Sequence, residues 1–126
     1  MPTSFEILKR RGLVYIRHSG IATFEESQTA LGQCAAHPDF DPSHKHLVDC
    51  RDVIRFERDY ARLMALQAQI ADVVIPHQSE TLLVFLATTQ VAREVATLVQ
   101  QSREGSGTVI PRGVQNEADA LALLGQ

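Results

Sequence analysis

The fold of this chain is decided by one unbroken apolar stretch, Thr81-Leu82-Leu83-Val84-Phe85-Leu86-Ala87. A strand with one face in water alternates apolar and polar residues, whereas a strand covered on both faces is apolar throughout. The stretch therefore predicts a central strand that has other elements packed against both of its faces.

The segments that follow this strand predict a helix, a strand and a helix in turn. A helix is predicted over Gln90–Ser102, because three apolar residues recur there at helical spacing: Val91, Val95 and Leu98. A short strand is predicted at residues 108–110. Asn116 is a favourable N-cap for a final helix over residues 117–124, which Gly125 ends.

The chain begins with two β-rich segments, residues 5–10 and 13–18, joined by a short link that contains Gly12. Such a pair predicts an antiparallel hairpin. Gly20 is then expected to break the chain before the first helix.

A capping box marks the start of that helix. The Thr23 hydroxyl is placed to accept from the backbone amide of Glu26, and the Glu26 side chain is placed to accept from the amide of Thr23. Pro38 and Pro42 stop the helix, since proline disfavours helical geometry in the residue before it. Its predicted apolar face consists of Phe24, Leu31, Cys34 and Ala35.

Between this helix and the apolar stretch, the sequence predicts one strand and one helix. The strand is short and buried, at residues 46–50. The helix is long; it begins between Phe56 and Asp59 and ends before Pro76. Its predicted apolar face consists of Phe56, Tyr60, Leu63, Ile70 and Val74.

The predicted order is therefore β-β-α-β-α-β-α-β-α. Strands that alternate with helices indicate a mainly parallel sheet with helices on both faces. We expect an α/β fold in which a five-stranded, mainly parallel sheet carries an N-terminal antiparallel hairpin. The length of 126 residues suits a single domain spanning residues 1–126.

Composition argues against several classes of function. The net charge of −3 lacks the basic excess that nucleic-acid binding requires, so no nucleic-acid partner is expected. The longest apolar run falls far short of a membrane span, and the N-terminus has no signal-peptide pattern, so a cytoplasmic protein is expected. Cys34 and Cys50 are expected to be small buried hydrophobic residues rather than a disulfide.

The element order resembles the STAS family, which comprises anti-sigma-factor antagonists and cytoplasmic domains of anion transporters. Three segments carry the resemblance over nearly the whole chain: residues 20–26, 46–53 and 118–124. They look like the family's strand-to-helix entry, its central strand with a terminal acidic residue, and its closing helix. The chain is most similar to a bacterial branch that is grouped with CRAL-TRIO-like lipid-binding domains.

One departure from that family concerns its phosphorylation switch. Switching members carry an acceptor serine or threonine just after the central strand, whereas this chain has neither between Ser43 and Ser79. Phosphorylation acts by adding roughly −1.5 to −2 charge. Control by serine phosphorylation is therefore not expected here.

The carboxyl ends of parallel strands are where ligands bind in such sheets. The candidate ligand-binding residues at that edge follow three strands. They are Asp49, Arg51 and Asp52 after the third strand, Thr88 and Thr89 after the fourth, and Arg112 after the fifth. The alternative is that these residues have structural roles. Asp49 would then accept hydrogen bonds from backbone amides, and Asp52 would cap a turn.

Four arginines add a second candidate feature: Arg51, Arg55, Arg58 and Arg62. On a helix, their spacing would form a positive stripe for a phosphate or carboxylate ligand. The interleaved Glu57 and Asp59 offer the alternative of a solvated face with ion pairs, which is the interpretation we favour.

Catalytic and metal motifs are weak. His44 and His46 lack the further ligands of a metal site. Cys50 follows His46 on the same strand by four residues, about 13 Å at ~3.3 Å per residue, so the two form no dyad. Arg51 beside Cys50 is of the kind that lowers a thiol pKa, which leaves an enzyme using Cys50 or Asp49 as a third hypothesis. No cofactor is expected.

The sequence thus predicts a non-enzymatic regulatory or binding domain. It would act through a protein partner, a second copy of itself paired at an exposed hairpin edge, or a small anionic ligand. The alternative is a carrier of a lipid-like or amphipathic molecule, which draws on the lipid-binding relatives.

Overall fold

The computed structural model describes residues 3–41, 44–74, 81–102 and 109–126. Within these ranges the strands are β1 (Thr3–Leu8), β2 (Leu13–Ala22), β3 (Lys45–Phe56), β4 (Thr81–Leu86) and β5 (Val109–Val114). The helices are α1 (Phe24–Ala36), α2 (Tyr60–Val74), α3 (Gln90–Ser102) and α4 (Glu117–Leu123), with a short 3₁₀ turn at Lys9–Arg11. None of these helices is both long and apolar enough to cross a membrane.

The five strands form one sheet in the order β1-β2-β3-β4-β5. β1 is antiparallel to β2, with Thr3 opposite His18 and Leu8 opposite Leu13. Every other neighbouring pair is parallel. The predicted fold class, a mainly parallel sheet with an N-terminal hairpin, is confirmed.

The helices cover the two faces of the sheet unequally. On one face, Val48 and Phe85 pack with Ala92 and Ala96 of α3, and α1 and α2 lie on the same side. On the other face, Leu47, Val84 and Leu86 pack with Ala120 and Leu124 at α4. β4 contributes to both cores, which confirms a central strand covered on both faces; it ends at Leu86, one residue before the end of the predicted stretch.

β2 and β3 are both longer than predicted, and each changes one expectation. Gly20 lies inside β2, where it does not break the chain; its φ of +64° accompanies a register shift in the β2–β3 pairing, typical of a β-bulge. β3 continues to Phe56, so the predicted strand end at residue 50 is wrong. The last residue of β3 in register with β4 is Asp49, opposite Leu86. Beyond it, among the described residues, β3 is in register with β2 only.

β5 also runs past its predicted end. It spans Val109–Val114, which places Arg112 inside the strand opposite Val84 rather than after it. Thr108 of the predicted strand lies outside the described residues. Pro111 is tolerated within the strand because β5 is at the edge of the sheet in this order, where one row of amides needs no partner.

The helix boundaries follow the capping signals. The Thr23 hydroxyl accepts from the amide of Glu26 at 3.3 Å, which confirms one bond of the predicted capping box. The Glu26 carboxylate accepts from the Thr3 hydroxyl at 3.2 Å and so ties α1 to β1. Asn116 caps α4 by accepting from the amide of Asp119 at 2.8 Å, as predicted.

The predicted apolar face of α2 is described in part. Leu63 is buried, as expected. Phe56 belongs to β3 rather than to the helix. The side chains of Tyr60, Ile70 and Val74 lie outside those described.

Candidate functional site

The most highly organised polar group in the described part of the chain is centred on Asp49. Its side chain is buried, with the residue 3% exposed. One carboxylate oxygen accepts from the Tyr15 hydroxyl at 2.5 Å and from Nη2 of Arg51 at 2.8 Å. The other accepts from Nε and from the backbone amide of Arg51, both at 3.1 Å. Asp49 is therefore satisfied from within the protein.

Strand geometry explains why these groups meet. Side chains two residues apart on a strand share a face, so Asp49 and Arg51 lie side by side. In the parallel β2–β3 pair, Arg17 of β2 lies opposite Asp49, and Tyr15 lies two residues before Arg17 on the same strand. Glu117 of α4 adds a second carboxylate 3.6 Å from Arg51.

The charges within this group reinforce one another. Burial works to raise the pKa of Asp49, but the hydrogen bonds from Arg51 and Tyr15 outweigh it, and the pKa lies below its usual value. The pKa of Tyr15 is raised, first by burial and then by its bond to Asp49. Tyr15 therefore stays protonated and Asp49 ionised at neutral pH, which makes the group a structural clamp between β2 and β3.

The other predicted strand-end residues lie apart from this clamp. Asp52 pairs with Arg17 on the surface instead of capping a turn. The Thr89 hydroxyl accepts from the amide of Ala92 at 3.1 Å and so caps α3. Thr88 is exposed, and its carbonyl accepts from Arg93 at 3.3 Å. The structure thus distributes the candidates over separate contacts.

The arginines do not form a helical stripe, and that interpretation is wrong. Arg51 and Arg55 lie in β3, and Arg58 precedes α2, which begins at Tyr60. Arg58 is 2.8 Å from Glu94. Arg62 is 3.7 Å from Glu57 and 3.8 Å from Asp59, in agreement with the ion-pair alternative.

A surface groove of about 420 Å³ lies where β3, α2 and α3 meet. The guanidinium of Arg58 stacks over the ring of Phe56, 4.7 Å from its centroid. Leu63 and Leu98 contribute to the apolar part of the groove, and Glu94 to its rim. The groove therefore combines an aromatic floor with charges of both signs.

The final residues of β3 form an extension of the sheet. We define the β3 extension as residues 52–56, which are in register with residues 19–22 of β2 beyond the end of the β4 pairing. Ile54 is 73% exposed and Ile21 is 54% exposed. Two large aliphatic side chains thus face solvent on a ribbon of two strands.

The Cys50 thiol is not activated. Burial, together with the charge of Asp49, raises its pKa to about 12. The expectation that Arg51 would lower this pKa is wrong, because the guanidinium is bonded to Asp49. Cys34 and Cys50 are both buried and unbridged, as predicted. Within the described ranges, no three histidine, cysteine or carboxylate side chains gather as metal ligands would.

Sequence reasoning missed two members of the Asp49 group, Tyr15 and Glu117. The pairing register of two strands about 30 residues apart is not encoded by any local motif. Glu117 was recognised as part of a helix, but nothing in the sequence indicated that α4 would bring it towards β3.

Comparison with known proteins supports the fold. No family model matches the chain, and no curated protein matches it. Among solved structures, it is similar to the anti-sigma factor antagonist SpoIIAA in its unphosphorylated form. The TM-score is 0.55 at 12% sequence identity, and the match covers 97% of this chain and 96% of that one. This chain therefore has a fold similar to that of this anti-sigma factor antagonist.

Proposed function

We propose that this chain is a regulatory domain that binds a partner protein at the β3 extension and the adjoining groove. The observation that carries the proposal is the exposure of Ile54 and Ile21 at the end of the sheet where ligands of such folds bind. Ile21 lies opposite Arg55, the neighbour of Ile54 in β3. Exposed apolar patches mark interaction sites. The likeness to an anti-sigma factor antagonist adds a regulatory precedent for the fold.

The backbone of the β3 extension supports the same proposal. β4 ends at Leu86, so the edge of residues 52–56 that faces away from β2 has no strand partner within the described residues. An open strand edge offers amides and carbonyls to an incoming strand, and its alternate side chains give specificity. A partner that adds an extended segment here would also cover Ile54.

Charge defines the chemistry of that segment. Arg55 is exposed at the edge, and Arg58 lies at the adjoining groove. Guanidinium groups pair well with carboxylates. We therefore expect the partner segment to carry apolar side chains for the groove together with at least one acidic residue. This choice favours a protein partner over a free anion, because an anion alone leaves the isoleucines uncovered.

The β3–α2 junction gives no place for a serine switch. The residues between β3 and α2 are Glu57, Arg58 and Asp59, and serine and threonine are absent from 44–78. Permanent carboxylates that are already near Arg62 do not reproduce an added phosphate. We propose that binding at this surface is controlled by partner availability rather than by serine phosphorylation.

Site-specific photo-crosslinking in cells tests the proposal. A photoreactive phenylalanine replaces Ile54 in one variant and Leu123 in a control variant, since Leu123 is 44% exposed on α4. We expect one defined crosslinked protein for the variant at position 54 and none for the variant at position 123. Adding Arg55→Glu to the position-54 variant should abolish that crosslink. Equal crosslinking at both positions would contradict a specific surface.

Two further results would overturn the proposal. Light scattering that finds a dimer which Ile54→Ser dissociates would identify a second copy of the chain as the occupant. Turnover of a metabolite that is lost in Asp49→Ala would identify an enzyme instead.

A further inference from the structure

A cavity of about 140 Å³ lies between the sheet and the three helices on its more covered face. The described side chains that line it come from α1, α2, α3 and the sheet, and include Leu31, Leu63, Leu98 and Val48. Interiors of proteins are packed with few voids larger than a water molecule. A space of this size between four elements is therefore a feature that requires an explanation.

The volume defines what the cavity can hold. An apolar cavity of about 150 Å³ in another protein stays dry and takes up benzene. Pockets for drug-sized ligands begin at about 300 Å³. A space of about 140 Å³ thus accommodates one ring. A long acyl chain does not fit, which separates this ligand from the lipid-like molecule that the sequence suggested.

A few polar groups interrupt the apolar lining. Ser27 and His46 contribute to it, and the Ser27 hydroxyl donates to the carbonyl of Thr23 at 3.2 Å, which leaves its oxygen as an acceptor. Burial lowers the pKa of His46 to about 4, so the imidazole is neutral at pH 7. His18, Thr23 and Glu57 also line the cavity, and burial lowers the pKa of His18 as well. An anionic ligand would therefore lose its hydration without meeting an opposite charge in this lining. A cationic ligand would have to compete for Glu57 with Arg62, which lies 3.7 Å from that carboxylate.

We propose that this cavity is a binding site for a neutral single-ring molecule with at most one hydroxyl group. The ring packs against the leucines and Val48, and the hydroxyl donates to Ser27. The cavity shares Phe56, Leu63 and Leu98 with the adjoining groove. The exposed Ile54 and Arg55 of the partner surface do not line it, so those two side chains can be changed without altering the cavity wall.

Methyl NMR on the full chain tests the site with phenol as the probe. Saturable shifts are expected for Leu31, Leu63 and Val48, while Leu13 and Leu124 of the opposite core serve as internal references. The melting temperature is expected to rise with phenol concentration, since a ligand of the native state stabilises it. Absence of saturable shifts in the wild-type chain overturns the proposal.

Matched variants locate the ligand. Ala30→Leu adds a side chain at the cavity wall and is expected to remove phenol binding, whereas Ala118→Leu on the exposed side of α4 leaves it unchanged. Ser27→Leu replaces Ala30→Leu if the latter does not fold. Phenol binding that survives in the folded cavity variant would place the ligand elsewhere. Displacement of phenol by a long-chain fatty acid at equimolar concentration would also overturn a single-ring site.

Discussion

Replacement of Asp49 by asparagine tests whether the Asp49 group clamps β2 to β3. The substitution preserves shape but turns one accepting oxygen into a donor that faces the donors of Arg51 and Tyr15. Hydrogen bonds to a charged group contribute about 1.5–3 kcal/mol each. The Arg51 side chain is 40% exposed, so solvent screening reduces its share. We therefore expect a loss of about 2 kcal/mol in the free energy of unfolding.

The expected change in melting temperature follows from the size of the chain. Unfolding entropies of about 2.1 cal/mol/K per residue give roughly 0.26 kcal/mol/K for 126 residues. A loss of about 2 kcal/mol then lowers the melting temperature by about 8 °C. Thermal unfolding followed by circular dichroism at pH 7 measures this shift, with urea unfolding as an independent check.

Asp52→Asn is the matched control, because it makes the same chemical change on the same strand. Asp52 and its partner Arg17 are both more than half exposed, at 53% and 55%. Exposed ion pairs contribute little to stability, so the control is expected to unfold almost like the wild type. Similar melting temperatures for the two variants would refute the clamp.

The pH dependence of the same pair of variants gives a second readout. Because the pKa of Asp49 is lower in the folded chain than in the unfolded one, its contribution is present above the unfolded pKa of about 3.9 and is lost as pH falls through the folded value. The wild type should lose its advantage over Asp49→Asn in that acid range. A difference of unchanged size at the lowest pH at which both chains still fold would count against ionic stabilisation.

Three further substitutions test other parts of the structure. The pKa of His46 is about 4 in the folded chain and 6.5 in the unfolded one, so the free energy of unfolding should fall by about 3 kcal/mol as pH drops from 6.5 to 4. His46→Gln should flatten this pH dependence in urea titrations. An unchanged dependence would be inconsistent with a buried neutral imidazole. Thr23→Ala removes the N-cap of α1 and should cost about 1 kcal/mol, whereas Thr29→Ala in the same helix should cost almost nothing; equal losses would argue against capping. Gly20→Ala should destabilise the fold by about 1 kcal/mol because φ is +64° at that residue. Gly32→Ala within α1 should stabilise it by up to about 1 kcal/mol. If both variants shifted the melting temperature in the same direction, the backbone argument would be contradicted.

Sequence reasoning succeeded where burial or capping leaves a local mark. Residues 82–86 are apolar throughout because β4 is covered on both faces, and the helix expected over Gln90–Ser102 has those boundaries in the structure. The Thr23 cap of α1 and the Asn116 cap of α4 explain why those helices begin where they do. Each of these signals lies within a few residues of the element that it defines.

The β3 extension left no such mark. Residues 52–56 carry charges and an exposed isoleucine because much of the ribbon faces solvent, and such a pattern is also typical of a helix start. The pairing that makes these residues a strand comes from residues 19–22, a distant part of the chain. Asp49 could be recognised as a candidate, but its partner Tyr15 depends on the same long-range register.

The β3 extension also determines how the two proposals are told apart. Val53 and Phe56 line the cavity, whereas Ile54 and Arg55 between them are exposed. Neighbouring residues of one strand thus serve two surfaces, and each surface can be altered without removing side chains from the other. Ile54→Ser should abolish partner binding and preserve the phenol shifts, while Ala30→Leu should do the reverse. If Ile54→Ser also abolished the phenol shifts, the substitution would have displaced the strand itself, and the loss of partner binding could not be assigned to the exposed isoleucine.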